Sequence, residues 1–220
     1  MNEIAQSEAA YDVALAAWWC HGAFLTVDGG RMGKSEGNFI TIDEIENRGF
    51  EPLAYRYLVL GAHYRSTLNF TWESLAGAQS ALDHARAIAR TLPPAPSRLG
   101  TVLRPKAMPW IEKLRAAISD DLNTPKALAR MWNLLKSDID GKVKAAVIAD
   151  VDNVFGLGLE DCLGKPLRIP KEVRALAAQR EEARIAKEWT RADRIRAQLE
   201  ALGWMVEDTK DGPAIKPKRT

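Results

Sequence analysis

The sequence predicts a mainly α-helical protein that opens with a short α/β segment and closes with a small β-hairpin. From residue 51 onward, apolar residues recur at the three- and four-residue spacing of amphipathic helices. Before residue 50, a short apolar run followed by a glycine-rich turn predicts a strand that leads into a loop. The proline-rich residues 93–100 cannot continue a helix, so we expect a boundary there between two helical regions.

The composition is that of an ordinary soluble protein. Hydrophobic residues make up 46% and charged residues 27% of the 220-residue chain, and no apolar run approaches the roughly 20 residues that span a bilayer. Residues 1–6 lack the basic and apolar segments of a secretion signal. Because Cys20 and Cys162 are far apart and form no CxxC pair, we expect a reducing cytoplasm and no membrane.

Charge is distributed unevenly along the chain. Residues 1–50 contain three Lys or Arg against eight Asp or Glu, whereas the remaining 170 residues contain 28 against 21. The basic portion suits contact with a polyanion, although mixed charge on solvated helix faces explains such a pattern about as often.

The first 50 residues predict the order helix, strand, loop, helix. An Ala-rich stretch without Gly or Pro predicts a helix over residues 4–19, and residues 23–27 predict a strand that turns at residues 28–30. Residues 41–44 have the spacing of a capping box, which predicts a helix that stops at Gly49.

The rest of the chain predicts helices and a terminal hairpin. Thr124 and Pro125 predict the start of a helix, residues 171–189 form a charged segment, and residues 190–193 predict the cap of a helix that ends at Gly203. A hairpin is expected over residues 205–216. The predicted packing stripes are Leu53, Tyr57, Leu60 and Tyr64; Leu75, Ala78, Leu82, Ala85 and Ile88; Leu128, Met131, Trp132 and Leu135; and Ala192, Ile195, Leu199 and Leu202.

A lysine loop follows the first turn. Its residues are Arg31, Met32, Gly33, Lys34 and Ser35. The small neighbours of Lys34 let the backbone approach a phosphate closely, and the ammonium is a mobile charge on a long stem. On spacing alone, a surface turn rich in Gly, Ser and Lys is the commoner explanation.

Further segments give the loop a wider context. Residues 2–8, 19–21, 27–39, 61–70, 120–127, 183–196 and 207–209 together resemble the cysteinyl-tRNA synthetase family. Residues 2–8 are similar to the end of its histidine-rich zinc segment, and residues 31–35 to its Lys-Met-Ser-Lys-Ser signature. The resemblance spans essentially the whole chain.

The resemblance implies roles for six residues. Lys34 would be the catalytic lysine that contacts ATP, within a phosphate loop of Arg31, Met32, Gly33, Lys34 and Ser35. Glu3 would occupy the position of a zinc-ligating glutamate. Two positions of the loop depart from the family: Arg31 replaces a lysine and keeps a cation, and Gly33 replaces a serine, which loosens the loop. Gly22 and Ala23 also replace the family's usual pair after His21.

Zinc is the weaker expectation, because Glu3 stands alone and a zinc site needs three or four ligands. Cys20 and His21 are adjacent, but a helix-end Cys and His are more often simply packed. His63 and His84 have no evident partner in the sequence and are expected to be structural or exposed. The family's His-Ile-Gly-His type signature is not found in the 220 residues, so we expect no complete activation site and no zinc held by this chain alone.

The resemblance also implies a domain order. It is the C-terminal end of a class I α/β catalytic domain with the lysine loop (1–50), a helical connecting region (51–95), a helical anticodon-binding-type domain (96–165), and charged helices with a hairpin (166–220). The candidate RNA contacts in the last part are Arg174, Arg180, Arg184, Lys187, Arg191, Arg194, Arg196, Trp189 and Trp204. Interleaved acidic residues and core tryptophans are the alternative explanation.

The implied function is part of an ATP-dependent cysteine–tRNA ligase whose partners are tRNA-Cys and a missing N-terminal catalytic portion. Two alternatives stay open. One is a non-catalytic truncated paralogue that serves as a tRNA-binding module. The other is a relative that joins cysteine to a small amino-sugar. Such a relative should lack a developed C-terminal tRNA-binding domain, so residues 171–220 argue against it.

Overall fold

The computed structural model describes residues 2–14, 16–33, 37–209 and 212–217. This part of the chain is mostly helical, as predicted, and it contains a three-stranded and a two-stranded sheet. Within it, no helix has the length and apolarity that crossing a membrane requires. The elements are α1 (Asn2–Tyr11), β1 (Leu25–Val27), β2 (Gly30–Arg31), α2 (Ile42–Asn47), α3 (Pro52–Leu60), β3 (Leu68–Phe70), α4 (Trp72–Thr91), α5 (Arg104–Ser119), α6 (Thr124–Lys136), α7 (Gly141–Phe155), a 3₁₀ helix (Glu160–Cys162), α8 (Lys171–Ile185), α9 (Trp189–Ala201), β4 (Trp204–Thr209) and β5 (Gly212–Pro217).

The first helix is shorter than the sequence predicts. It ends at Tyr11, and the predicted helix over residues 4–19 is wrong beyond that point. Asp12 takes a left-handed conformation (φ 51°), and its N–H donates to the Glu8 carbonyl at 2.8 Å. Asp tolerates this conformation better than most residues, so the chain leaves the helix there.

The small sheet has β1 at its centre. Strand β2 pairs antiparallel to β1, and β3 pairs parallel to it with Thr26 opposite Asn69. The two-residue turn between β1 and β2 has positive φ at both positions, 49° at Asp28 and 79° at Gly29. An Asp-Gly pair with this backbone is favoured in tight hairpins because its twist matches that of the strands. The predicted turn is therefore confirmed, with its last residue, Gly30, inside β2.

Two hydrophobic clusters hold the sheet and the central helices. A small one beneath the sheet joins Val27, Ile45, Ala54, Phe70 and Leu75. A larger one runs from α3 through α7 to the 3₁₀ helix and contains most of the predicted stripes. Because helices on both sides of residues 93–100 contribute to it, that segment is a connection within one core. The domain limits given above stay predictions.

Local signals placed some helix starts incorrectly. The cap of α6 is Asn123, whose Oδ1 accepts the Lys126 N–H at 3.1 Å, so Thr124 is already helical. Helix α9 begins at Trp189, one residue before the predicted cap at Thr190. By contrast, the hydroxyl of Thr41 accepts the Glu44 N–H at 3.2 Å at the start of α2, as the sequence predicts. Asn accepts at an N-cap as well as Ser or Thr does, so neighbouring candidates compete.

The C-terminal elements have their own cluster. Val173 of α8 packs with Ile195 and Leu199 of α9, and the partly buried Trp204 and Ile215 of the hairpin cover them. Strands β4 and β5 pair antiparallel from Trp204 opposite Pro217 to Thr209 opposite Gly212, which confirms the predicted hairpin. The predicted packing face of α9 is confirmed for Ala192, Ile195 and Leu199, whereas the prediction is wrong for Leu202, which follows the helix and is 45% exposed.

Candidate functional site

An asparagine from β3 fixes the hairpin that leads into the lysine loop. The Oδ1 atom of Asn69 accepts the Gly29 N–H at 2.8 Å and lies 3.0 Å from the Thr26 hydroxyl. The tight turn is therefore tied to the neighbouring parallel strand as well as to β2. Sequence reasoning missed this role, although residues 68–70 belong to a segment with the family resemblance.

A second asparagine closes the loop itself. The side chain of Asn38 accepts the Gly33 N–H on Oδ1 and donates from Nδ2 to the Arg31 carbonyl, both at 3.0 Å. Gly37, beside it, has φ 68°, a conformation that glycine adopts without strain. The two ends of the loop thus meet at one side chain. Asn38 was noted in the sequence only as part of the resemblance.

Of the five predicted ATP-loop residues, the structure describes the first three. Arg31 is exposed in β2, Met32 packs against the small cluster beneath the sheet, and Gly33 is partly buried. Lys34 and Ser35 lie outside the described residues, so their predicted roles stay predictions. The described flanks on either side are joined to each other through the Asn38 side chain.

Glu3 lies on α1, with an exposed side chain. Its pKa is lowered, mainly by a hydrogen bond with its own backbone. In the described part of the chain, no three His, Cys, Asp or Glu side chains are grouped so that they could hold a metal ion. Since zinc takes three or four protein ligands, the described residues around Glu3 do not fit a zinc site.

The adjacent Cys20 and His21 are both exposed, so the expectation that they are packed is wrong. The His21 ring stacks on Trp19 with centroids 6.5 Å apart. Of the other histidines, His84 meets Trp132 edge-on, and His63 stacks on Tyr64.

A basic and aromatic surface lies where α8 meets α9. We define the α8–α9 surface as Lys187, Trp189, Arg191 and Arg194, which line one shallow cavity together with Glu188 and Thr190. The indole of Trp189 is 59% exposed. A large aromatic ring left in solvent beside three cations offers a base both a stacking face and nearby charge.

The backbone of the turn sets this surface. Lys187 has φ 60°, its N–H donates to the Arg184 carbonyl at 3.0 Å, and the Glu188 N–H donates to the Ala183 carbonyl at 2.8 Å. These two bonds end α8 in the arrangement that usually has glycine at the left-handed position. Helix α9 then begins at once with Trp189, so the turn between the two helices determines where the Trp189 ring lies.

Apart from the exposed Trp189, the predicted RNA-contacting residues fall into three groups. Arg180 (7% exposed) is buried, and Trp204 packs in the C-terminal cluster, so both predictions are wrong for these two side chains. Ion pairs hold Arg184 to Glu181 at 3.6 Å, Arg191 to Glu188 at 3.0 Å and Arg196 to Glu200 at 3.2 Å. The remaining cations, Arg174, Lys187 and Arg194, are exposed and form no ion pair with another described residue.

Comparison with known proteins relates both regions to one family. Residues 1–80 match the family model of the class I (C) tRNA synthetase catalytic domain, and residues 168–213 match that of the cysteinyl-tRNA ligase anticodon binding domain. A cysteine–tRNA ligase of Burkholderia lata is 44% identical over 97% of this chain, and one of Opitutus terrae is 40% identical over 99%.

The chain belongs to the cysteinyl-tRNA synthetase family and corresponds to its C-terminal portion. It covers 44% of the Burkholderia lata ligase, 46% of the Opitutus terrae ligase and 47% of a Pseudomonas aeruginosa ligase to which it is 38% identical. It therefore spans less than half the length of these synthetases. The lysine loop falls within the catalytic match, and the α8–α9 surface within the anticodon-binding match.

Proposed function

We propose that this chain is the part of an ATP-dependent cysteine–tRNA ligase that binds tRNA-Cys and carries the lysine loop. The observation that supports this most directly is the α8–α9 surface, an exposed tryptophan with three cations inside the anticodon-binding match. It combines the two features by which proteins hold single-stranded loops, a stacking face and backbone-contacting charge.

At this surface, the Trp189 ring stacks on an unpaired base of the anticodon loop. Lys187 and Arg194 contact the phosphates on either side, because both are exposed and form no ion pair with another described residue. An ion pair with Glu188, 3.0 Å from Nη1 to Oε2, orients the Arg191 guanidinium, and its remaining N–H groups donate to the RNA. Binding of this kind weakens steeply as salt concentration rises.

The lysine loop serves the activation step. In the proposed reaction, ATP and cysteine give cysteinyl-adenylate and pyrophosphate, and the tRNA 3′ end then takes the cysteinyl group. Lys34 follows the negative charge that builds on the departing pyrophosphate, which stabilises the transition state more than the ground state. Asn69 holds the Gly29 turn, and Asn38 holds Arg31 and Gly33, which directly precede Lys34 in the chain. Arg31, exposed in β2, is the second cation of the loop.

We further propose that activation requires a second catalytic portion that packs against the segment 11–24. Several large apolar side chains of this segment lie in solvent, among them Tyr11 at 75%, Trp18 at 89% and Phe24 at 86% exposed. Large apolar side chains exposed together are typical of a surface that binds another protein segment. The catalytic match lies on residues 1–80 and the chain spans less than half of its relatives, so the occupant we propose is the remainder of a class I catalytic domain.

The test is a titration of the purified chain with tRNA-Cys at several salt concentrations, with Lys187→Gly as the key variant. Glycine accepts φ 60° at that position, so the variant removes the charge and keeps the turn. We expect weaker binding, a shallower salt dependence and an undiminished melting temperature. Binding equal to the parent's would contradict the proposed interface.

Pyrophosphate exchange with cysteine separates the proposed roles. We expect none with this chain alone, and exchange on adding residues that precede its matched region in a close relative. Exchange by the chain alone would overturn the proposed need for a second portion. Binding of tRNA without any reconstituted exchange would favour the alternative of a non-catalytic tRNA-binding module.

A further inference from the structure

Two segments that are more than 50 residues apart in sequence meet at one carboxylate. The Asp121 carboxylate, in the turn between α5 and α6, accepts the Tyr64 hydroxyl at 2.7 Å and the Arg65 Nε–H at 2.8 Å. A second guanidinium nitrogen of Arg65 lies 3.2 Å from Oδ1, and His63 Nε2 lies 3.9 Å from Oδ2. The hydrogen bonds from Tyr64 and then Arg65 lower the pKa of Asp121.

The backbone that presents this carboxylate is unusual. Asp121 and Leu122 have φ of 53° and 52°, two consecutive non-glycine residues in the left-handed region. Such residues persist only where the surroundings hold them, and they are common where geometry serves a function. Here Asn123 caps α6 directly after them, and Asp120 pairs with Lys126 at 2.9 Å.

The same cluster is poorly suited to stabilising the whole fold. The side chains of Asp121 and Arg65 are 48% and 65% exposed, and ion pairs at that exposure contribute little to global stability. A strained turn that supports an exposed cluster therefore calls for a local explanation.

The cluster connects to the hairpin of the lysine loop. The Tyr64 carbonyl accepts the Ala23 N–H at 2.7 Å, and the Phe24 carbonyl accepts the Leu68 N–H at 3.2 Å. Both bonds lie at the entrance to β1, the strand that continues into the Asp28–Gly29 turn. Hydrogen bonds, together with the covalent chain of Tyr64 and of β1, thus connect the turn between α5 and α6 to the hairpin that leads into the lysine loop.

We propose that Asp121 is a positioning residue that holds the entrance of β1, and with it the lysine-loop hairpin, in a fixed place on the central helices. The significance for activation rests on the function proposed above. The positioning itself does not, because it concerns only contacts within this chain. The Asp121 carboxylate holds Tyr64 by accepting its hydroxyl, and the Tyr64 carbonyl holds Ala23 by accepting its N–H.

The experiment is hydrogen–deuterium exchange of the full chain carrying Asp121→Ala, compared with Asp150→Ala. The control removes another partly exposed ion pair of the same helical core, between Asp150 and Arg115 at 2.5 Å. In Asp121→Ala, we expect the amides of residues 23–27 and 61–70 to exchange roughly three- to tenfold faster, with α8 and α9 unchanged. Asp121→Asn keeps an oxygen for the Tyr64 hydroxyl and should restore part of the protection.

Parent exchange rates at residues 23–27 in Asp121→Ala would overturn the proposal, as would equal acceleration in Asp150→Ala. If Asp121→Ala does not fold, Tyr64→Phe removes a single hydroxyl and is held to the same criterion. No tRNA or ATP enters this measurement, and tRNA affinity should be the same in Asp121→Ala as in the parent. A failure of the proposed tRNA binding would therefore leave the exchange result unaffected, and the two failures can be told apart.

Discussion

The two tryptophans at the C-terminal end provide a matched pair for testing the α8–α9 surface. Trp189 is 59% exposed at the start of α9, whereas Trp204 in β4 packs against the cluster of Val173, Ile195 and Leu199. Replacing each with alanine removes the same side chain from two different environments. One variant should change RNA binding, and the other should change stability.

The magnitudes follow from those environments. Stacking of a base on an aromatic ring contributes about 1–3 kcal/mol, so Trp189→Ala should weaken tRNA-Cys binding by about fivefold to 150-fold. Its unfolding free energy should stay within about 0.5 kcal/mol of the parent's, because an exposed ring loses few contacts. Trp204→Ala leaves a cavity in a packed cluster and should cost roughly 2–4 kcal/mol of stability.

Binding is measured by titration of labelled tRNA-Cys, and stability by urea unfolding followed by circular dichroism. The temperature is chosen so that Trp204→Ala is still folded, and its tRNA affinity should then lie close to the parent's. Unchanged affinity in Trp189→Ala would refute the assignment of this ring to RNA. A large loss of stability in that variant would refute the account of its surroundings.

Three further changes test other parts of the account. Asn38→Ala removes two hydrogen bonds of about 1 kcal/mol each and should speed amide exchange at the base of the lysine loop. Asn153→Ala, at an exposed position of α7, should not change exchange there. Arg194→Ala should weaken tRNA binding and make the slope of log K against log salt less steep by about 0.7, the value for one lost phosphate contact on single-stranded RNA; an unchanged slope would exclude a phosphate contact. The pKa of Asp121 is lowered in the fold, because its charged form accepts hydrogen bonds from Tyr64 and Arg65. The protection against exchange that Asp121 gives to residues 23–27 should therefore be complete above its ordinary pKa of 3.8 and decline as the pH falls below that value. Constant protection down to pH 2 would contradict this.

Periodicity predicted the central helices because their packing faces are long and regular. The stripe of Leu75, Ala78, Leu82 and Ala85 on α4 is buried as expected. The hairpin turn at Asp28 and Gly29 was also predictable, since few residue pairs accept two positive φ angles. Such signals are local and repeat several times within one element.

Helix ends and solvent exposure were harder to predict. The end of α1 depends on the left-handed conformation of Asp12, which the Ala-rich pattern around it conceals. The burial of Arg180 and the packing of Trp204 depend on how α8, α9 and the hairpin fold together, so neither residue type nor spacing indicates them. Helix α5 carries Pro105 and Pro109, and these prolines hid a helix that the core requires.

The sequence predicted the residues of the lysine loop but not the side chains that hydrogen-bond to the backbone on either side of it. The resemblance identified the lysine loop, yet the roles of Asn38 and Asn69 follow from which strands lie side by side. Likewise, the segments around Tyr64 and Asp121 were each noticed, whereas their contact required the folded structure. Long-range pairing of polar side chains leaves no periodic signal in a single sequence.

The central proposal is that the α8–α9 surface binds the anticodon loop of tRNA-Cys. The most direct measurement compares the affinity of the 220-residue chain for tRNA-Cys with its affinity for the same tRNA carrying a substituted anticodon, at several salt concentrations. The account predicts tighter binding of the natural anticodon and loss of that preference in Trp189→Ala. Equal affinity for both RNAs, or no binding at low salt, would contradict it.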